Sequence, residues 1–202
     1  HLLLADSLGQ MFIVDATSSS IEVITLTTVD KTRQYAEIIC TDTPAEVLDQ
    51  SSTSQDHIVK AIDAGRIMLA ADTLGASQTM INQAVDYAKE RKQFGRAVGS
   101  FQAVKHMCAE MVADLEPCYG LIWHAAHCHD HSPDEARLMA CHAKAHVSEM
   151  GKGIAKKATE VHGGMGFTDL HGLHYWFKRI GVNRQILGSP ELIREEAMKY
   201  QL

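Results

Sequence analysis

The 202-residue sequence has no long apolar segment and no excess of positive charge. No apolar run approaches the ~20 residues that a membrane-spanning helix requires. The sequence also does not begin with the basic stretch and following apolar stretch of a signal peptide. Lysine and arginine together number 19 against 25 acidic residues, for a net charge of −6. We therefore expect no membrane span, no signal peptide and no general nucleic-acid binding.

Disulfide and metal signatures are also missing. The five cysteines are odd in number and include no CxxC pair, which is typical of reduced thiols in an intracellular protein. There is no HExxH motif, but histidines crowd two regions: His124, His127, His129 and His131 around Cys128, and His142 with His146. An i, i+4 histidine pair can hold one metal ion. Because the first group lies where a helix is expected to end, we predict surface histidines and no metal site.

Residues 1–50 are predicted to be β-structure. Short apolar runs alternate with polar turns at residues 1–5, 11–14, 21–24 and 35–40, as strands do. About four strands are too few for an independent sheet domain. We therefore expect part of a β-sandwich or β-barrel domain whose beginning lies upstream of His1.

Residues 51–202 are predicted to be a helical domain. Ser51–Ser54 has the composition of a linker with helix-capping residues. From Asp56 to Ala88, apolar residues recur every three, four or seven positions, as on one buried helix face. A continuous helix here would be roughly 50 Å long.

Three more helices are expected after the first. One extends from about residue 101 to residue 128, and Pro117 should kink or split it. The next begins at Ser132–Pro133 and ends near His162, and the last begins at Ser189–Pro190, because a capping serine followed by proline is typical of a helix start. The fold class is therefore α+β, with an antiparallel four-helix bundle after the β-domain.

Motifs at the predicted helix ends carry a family resemblance. Tyr87–Arg96 (YAKERKQFGR) combines basic residues with an aromatic ring, and Glu160–Phe167 (EVHGGMGF) is a glycine-rich turn. Val29–Arg33 (VDKTR) and Asp63–Arg66 (DAGR) add two shorter matches. In this order and spacing the motifs resemble the acyl-CoA dehydrogenase family, from the end of its middle β-domain through its C-terminal helical domain.

The resemblance implies FAD as the cofactor. It implies that Arg91 contacts the FAD pyrophosphate, that Phe94 packs on the cofactor and that Gln102 hydrogen-bonds the ADP portion. The residues implied along the adenosine are Glu160, Gly163 and Gly164. In the family this domain offers such groups to FAD that is held mainly by a neighbouring subunit.

Each cofactor residue also has a simpler interpretation. Arg91 could complement the helix dipole, for about 0.3–1 kcal/mol. Gly163 and Gly164 could serve simply as the C-cap of a helix, and Phe94 could be a core residue. The joint order and spacing of the motifs favours the cofactor interpretation.

The resemblance also implies a reaction and partners. The family oxidises acyl-CoA thioesters to 2,3-enoyl-CoA, and Asp63 and Arg66 would face the acyl-CoA. The implied partners are acyl-CoA, further subunits and an electron-transfer acceptor protein. The implied location is the cytoplasm of a bacterium, or the mitochondrial matrix if the protein is eukaryotic.

The sequence departs from the family where the catalytic carboxylate is expected. One position for that carboxylate, just before Gly188, is Leu187 here, and the other, beside the arginine of the first helix, is Gly65. Neither residue can accept a proton, and general-base catalysis needs a titratable group within reach. Glu191 is the nearest substitute, although its position after Pro190 is typical of a first-turn acid. Glu160 replaces the glutamine usual in the family, and a carboxylate near the FAD pyrophosphate is electrostatically unfavourable.

Three functions remain open at this point. The first is a subunit of a heteromeric acyl-CoA dehydrogenase in which a partner supplies the base; by resemblance, bulky sterol side-chain CoA esters are its implied substrates. The second is a homomeric dehydrogenase with Glu191 as a displaced base. The third is a helical assembly module without catalytic activity.

Overall fold

The computed structural model describes residues 1–48 and 55–201, which divide into two compact units, His1–Ile62 and Asp63–Leu202. The last strand before the first helix ends at Val47, and that helix begins at Gln55. The predicted domain boundary between residues 50 and 51 and the predicted linker lie outside the described residues. They stay predictions.

The described part of the first unit contains five short strands. They are β1 (Leu2–Ala5), β2 (Met11–Val14), β3 (Ile21–Leu26), β4 (Tyr35–Cys40) and β5 (Ala45–Val47). An antiparallel sheet has the order β1-β2-β5, and β3 pairs with β4 in a separate antiparallel hairpin. The four predicted strands are confirmed. The three residues of β5 are too few to show an alternating pattern, so the sequence did not reveal it.

A buried aspartate organises the connection between β3 and β4. Asp30 is 1% exposed, and its Oδ1 accepts hydrogen bonds from the backbone N–H of Thr32 at 2.9 Å and from the Thr32 hydroxyl at 2.6 Å. By contrast, apolar side chains of the strands remain open, with Leu3, Val23 and Val47 more than half exposed. The described part of this unit therefore leaves apolar sheet surface uncovered.

Helices make up most of the remaining described chain. They are α1 (Gln55–Glu90), α2 (Gln102–His131), α3 (Pro133–His162), α4 (Leu173–Gln185) and α5 (Pro190–Met198), with a two-residue hairpin of β6 (Lys92–Gln93) and β7 (Arg96–Ala97) after α1. The four predicted helices are confirmed. The sequence did not reveal α4, because Gly172 stands at its N-cap with a φ of 63° and none of the usual capping or first-turn residues marks its start.

The helices pack side by side as a bundle. Only Ser132 separates α2 from α3, and Lys157 of α3 reaches back to Asp114 of α2 at 3.0 Å, so this pair is antiparallel. In contrast α1 and α3 are parallel, since Tyr87 stacks on His162 near their carboxyl ends. The main core lies between the helices and includes the fully buried Met80, Met111, Ile154, Leu173 and Ile180.

Pro117 was expected to kink or split the second helix; the split is wrong, and the kink stays a prediction. Helix α2 continues through Pro117, which lies on an exposed face of the helix. Proline there removes the hydrogen bond to the carbonyl of Ala113, and Ala113 is also exposed, so water can satisfy that carbonyl. On the opposite face Leu115 and Cys118 are buried, and this packing outweighs the lost hydrogen bond.

Helices α1 and α3 approach closely at Gly151. A Cβ atom at this position would lie 2.5 Å from Cγ2 of Thr73 and 3.2 Å from the Ser77 hydroxyl. Gly153, two residues later in the same helix, has open space where a Cβ would be. The two glycines therefore differ in packing and share the same conformational cost in a helix.

We predict opposite effects for alanine at these two glycines. Gly151→Ala should lower the free energy of unfolding by about 1–3 kcal/mol, because the added methyl group overpacks the α1–α3 contact. Gly153→Ala is the matched control and should raise it by up to about 1 kcal/mol, through helix propensity alone. Urea unfolding of both variants measures the difference, and equal effects would contradict the packing described here.

Candidate functional site

A cleft of about 410 Å³ opens where α1 and α3 end. Because the two helices are parallel, their carboxyl ends lie at the same end of the bundle. The cleft is lined by four of the six predicted cofactor residues, namely Arg91, Glu160, Gly163 and Gly164. The structure therefore brings together two motifs that are about seventy residues apart in the sequence.

The hairpin after α1 fixes the position of Arg91. The Arg91 N–H donates to the carbonyl of Tyr87 at 2.8 Å, and the Arg91 carbonyl accepts from the N–H of Val98 at 2.7 Å. Phe94 and Gly95 form the turn of the hairpin with φ values of 53° and 77°, as a two-residue hairpin of this twist requires. Arg91 is thereby held at the junction of helix and hairpin.

The cleft offers a cation beside accessible backbone. Arg91 is exposed, and no ion pair joins it to another described residue. Gly163 ends α3 with a φ of 59°, and a Cβ at Gly163 or Gly164 would meet nothing within 4 Å. Gly163 therefore does serve as a helix cap, and it also leaves its backbone open. A guanidinium next to open backbone suits a phosphate or pyrophosphate, although Glu160 adds an opposing carboxylate.

Two aromatic residues of the cleft were not predicted. Tyr87 stacks on His162 with ring centroids 4.6 Å apart and an interplanar angle of 27°. His162 is 3% exposed, its Nδ1 lies 2.8 Å from the carbonyl of Ala158, and burial lowers the pKa of its imidazole. The position of His162 on the buried face of α3 is the signal that could have revealed it.

Phe94 and Gln102 do not line the cleft. Phe94 is 92% exposed, so its interpretation as a core residue is wrong, and its ring contacts Phe101 edge-on at 6.2 Å. Gln102 begins α2, and its side-chain nitrogen lies 3.0 Å from Nε2 of His106. Cofactor contact by Phe94 and Gln102 stays a prediction.

The turn between α4 and α5 brings the two expected catalytic positions together. A Cβ atom on Gly65 would lie 2.6 Å from Cδ1 of Leu187, so the side chain of Leu187 covers Gly65. Leu187 and Gly188 both have positive φ, at 56° and 106°. Neither of the two positions carries a carboxylate.

A buried ionic network surrounds this turn. Arg66 donates from Nη2 to Glu196 at 2.8 Å and from Nε to the carbonyl of Leu187 at 3.0 Å, and Arg137 pairs with both Asp63 and Glu196. Hydrogen bonding from Arg66 lowers the pKa of Glu196, whereas burial raises the pKa of Asp63. Asp63 and Arg66 are only 3% and 6% exposed, so both engage this network, and their contact with acyl-CoA stays a prediction.

A buried lysine holds the same turn from α3. Nζ of Lys144 donates to the carbonyls of Asn183 at 2.8 Å, Arg184 at 3.2 Å and Gly188 at 3.4 Å. The side chain is fully buried. Lys144 was not among the predicted site residues, although a lysine stands out at helical spacing among small and apolar residues: Ala140, Val147 and Gly151.

Glu191 is engaged in helix-end hydrogen bonds and an ion pair. The pKa of its carboxyl is lowered to about 2 by its own backbone N–H, by the Ser189 hydroxyl and by Arg184. Arg184 also pairs with Glu149 at 2.7 Å. A carboxylate with so low a pKa is a poor general base at neutral pH, which disfavours the idea of a displaced base at this position.

Comparison with known proteins identifies the family. A profile described as the C-terminal domain of acyl-CoA dehydrogenase matches residues 56–201. The chain belongs to the acyl-CoA dehydrogenase family. It is 36% identical over 133 residues to acyl-CoA dehydrogenase IpdE2 of Mycobacterium tuberculosis, an alignment that covers 65% of this chain and 40% of that protein.

Solved structures of acyl-CoA dehydrogenases share the fold. The Tcur3481–Tcur3483 steroid ACAD matches with a TM-score of 0.83 at 24% identity, over 95% of this chain and 51% of that chain. The ChsE4–ChsE5 complex from Mycobacterium tuberculosis matches with a TM-score of 0.83 at 23% identity, over 94% of this chain and 51% of that chain. At these identities the likeness establishes the fold alone, and this chain spans about half the length of the matched chains.

The family assignment confirms the resemblance seen in the sequence. Acyl-CoA dehydrogenases are FAD-dependent oxidoreductases, and the helical bundle described above is their C-terminal domain. Among the described residues, no helix is both long and apolar enough to cross a membrane.

We predict a pH-dependent contribution of Lys144 to stability. Burial, Arg66 and Arg184 lower the pKa of Lys144 from 10.5 to about 8. Between these two values the unfolded chain binds more protons than the folded one, so stability rises with pH. Across that window the free energy of unfolding should rise by about 3 kcal/mol relative to Lys144→Met. Urea unfolding from about pH 7.5 to about pH 10 checks this, and parallel curves for the two proteins would contradict it.

Proposed function

We propose that this chain is a subunit of a heteromeric FAD-dependent acyl-CoA dehydrogenase. It contributes FAD-binding groups and oligomer contacts, and a partner chain supplies the catalytic base. The observation that carries the proposal is the contact between Leu187 and Gly65. The two positions from which the family takes its carboxylate meet at one place in the fold, and both are occupied by residues that cannot accept a proton.

The missing base matters because of the reaction type. Dehydrogenation of an acyl-CoA thioester removes an α-proton and a β-hydride, and FAD accepts the hydride. Removal of the α-proton needs a titratable group within hydrogen-bond reach, which contributes about 10²–10⁴-fold to the rate. Around Leu187 the nearby carboxylates of Asp63 and Glu196 are already paired with arginines. This chain alone therefore lacks the group that starts the reaction.

The cleft supports a role in FAD binding. Arg91 supplies charge-assisted donors suited to the pyrophosphate, and the open backbone of Gly163 and Gly164 allows close approach of the adenosine portion. Glu160 lines the same cleft, and its charge would weaken the attraction. We therefore place the main interaction on Arg91 and assign Glu160 no stabilising role.

The distance between the cleft and the α4–α5 turn supports an active site that is shared between two chains. Gly65 lies beside the turn and Glu90 lies beside the cleft, and both belong to α1. Because each residue of an α-helix adds about 1.5 Å, the two are roughly 37 Å apart along the helix axis. When the pyrophosphate of FAD lies at Arg91, the flavin ring of the same molecule cannot extend to the α4–α5 turn of this chain. The cleft of this chain therefore serves a reaction centre built on another polypeptide.

A bulky CoA ester is the proposed substrate class. One matched structure is named a steroid ACAD and another is a two-component complex, which agrees with the sequence-based proposal of a heteromeric enzyme acting on sterol side-chain CoA esters. We propose a heterotetramer as its assembly. The flavin reduced in such a reaction must be reoxidised, so an electron-transfer protein is the proposed acceptor. Co-expression with candidate partner chains should yield a yellow complex, and a colourless self-contained oligomer would contradict the proposal.

We predict that Arg91→Ala weakens FAD binding in the purified complex. Loss of a charge-assisted hydrogen bond costs about 1.5–3 kcal/mol, which corresponds to roughly 10–100-fold in the dissociation constant. Lys92→Ala is the matched control, because Lys92 is an adjacent exposed cation outside the cleft. FAD titration of the complex measures both. An effect of Lys92→Ala as large as that of Arg91→Ala would indicate general electrostatics, and no flavin at all would favour an assembly module without activity.

We predict that Glu191→Gln leaves turnover of the assembled enzyme within about twofold of wild type, since its carboxylate is not the base. A homomeric enzyme that used Glu191 as base would instead lose about 10²–10⁴-fold. Steady-state turnover of the native assembly with an acyl-CoA substrate distinguishes the two. A large loss in the variant with an unchanged flavin content would support the homomeric alternative.

A further inference from the structure

Three side chains of different types converge at the corner between α2 and α3. His124 and Cys128 are one turn apart near the end of α2, and Glu135 is in the first turn of α3. Sγ of Cys128 lies 3.7 Å from Nε2 of His124 and 4.0 Å from Oε2 of Glu135. One ligand atom from each residue lies within 4.8 Å of the other two.

This arrangement suits a tetrahedral metal ion. Zinc binds thiolate sulfur at about 2.3 Å and imidazole nitrogen or carboxylate oxygen at about 2.0–2.2 Å, so neighbouring ligands in a tetrahedron are roughly 3.5 Å apart. The separations of 3.7 Å and 4.0 Å exceed that spacing only slightly, and the remaining pair, His124 and Glu135, lies within 4.8 Å. Binding of an ion would draw the three donor atoms closer together.

We propose that His124, Cys128 and Glu135 bind a zinc ion that ties the end of α2 to the start of α3. Water completes the coordination, as in other zinc sites with three protein ligands. One thiolate and one carboxylate balance the two positive charges of zinc, so the site carries no net charge. The carboxyl end of α2 attracts a cation and the amino end of α3 repels it, so the ligands themselves determine binding.

The neighbouring histidines do not share this geometry. His127 packs against His131 with ring centroids 4.9 Å apart, and His129 contacts Asp130 at 3.2 Å. In the more distant pair, Nε2 of His142 lies 3.3 Å from the Gln201 amide. Among residues 1–48 and 55–201, the only group of three or more such ligands that converges is His124, Cys128 and Glu135. The sequence-based expectation of no metal site is therefore revised by this proposal.

Binding of zinc must displace one proton. Free cysteine has a pKa of about 8.5 and is mostly protonated at neutral pH, and burial and the Glu135 carboxylate raise the pKa of the Cys128 thiol. When zinc binds, the S–H bond breaks, the proton leaves to solvent and a zinc–sulfur bond forms with no change of oxidation state. Zinc affinity should therefore increase with pH, and about one proton should be released per ion.

The test is a metal titration of the purified protein after treatment with a chelator. We expect one zinc per chain, and we expect Co²⁺ to show thiolate-to-cobalt charge-transfer absorption. Zinc at a hundredfold excess over its dissociation constant should raise Tm by about 5–10 °C. Cys128→Ser and His124→Ala should each weaken zinc binding at least about tenfold and abolish the Tm shift, and Cys128→Ser should abolish the charge-transfer band.

Two controls separate this site from other thiols and from surface histidines. Cys118→Ser removes another buried thiol of α2, whose Sγ contacts the carbonyl of Asp114 at 3.4 Å, and should leave zinc binding unchanged. A double variant, His127→Ala with His131→Ala, should also retain the zinc. The proposal is overturned if less than one zinc binds, if Cys128→Ser binds like wild type, or if only the double histidine variant loses the metal. None of these readouts depends on flavin or on turnover, so they are independent of the proposed function.

Discussion

The turn between α4 and α5 depends on two buried cations that bind its backbone. Arg66 from α1 donates to the carbonyl of Leu187, and Lys144 from α3 donates to those of Asn183 and Gly188. Carbonyls at a helix end have no intrahelical donor, and charged donors satisfy them more strongly than neutral ones do. The positive φ of Leu187, which is unfavourable for a side chain of its size, persists because donors from two helices hold the turn.

Because the turn is held through its backbone, its position does not depend on which side chain stands at residue 187. Arg66 binds the carbonyl of Leu187 and makes no demand on the side chain, so a carboxylate can be absent here without loss of the turn. The side chain of Leu187 does contact its neighbour, because a Cβ at Gly65 would lie 2.6 Å from Cδ1 of Leu187 and would force that methyl group to move. Leu187 and Gly65 therefore pack together in this turn, and neither supplies a base.

The sequence predicted local features well and long-range polar contacts poorly. Helix starts at Pro133 and Pro190 followed from local residue preferences, and the end of α3 at Gly163 followed from the glycines. The family motifs pointed to Arg91 and the glycine-rich turn because they match a family whose fold is known, and both line the cleft. Lys144 and its acceptors in the turn were not predictable, since hydrogen bonds between residues about forty positions apart leave no periodic signal. Pro117 does not split α2, because the effect of a proline depends on whether its face of the helix is exposed.

The parallel arrangement of α1 and α3 has a consequence for any assembly that uses this fold. The cleft lies at one end of α1 and the turn at the other, roughly 37 Å apart. Under the proposed function, one chain therefore offers halves of two different sites, and each half needs a second chain to complete it. In a mixed pair, a chain with a functional cleft and no base still completes the site built on its partner's turn. Under the proposed function, Arg91 is then required for catalysis in a chain that contributes no catalytic carboxylate.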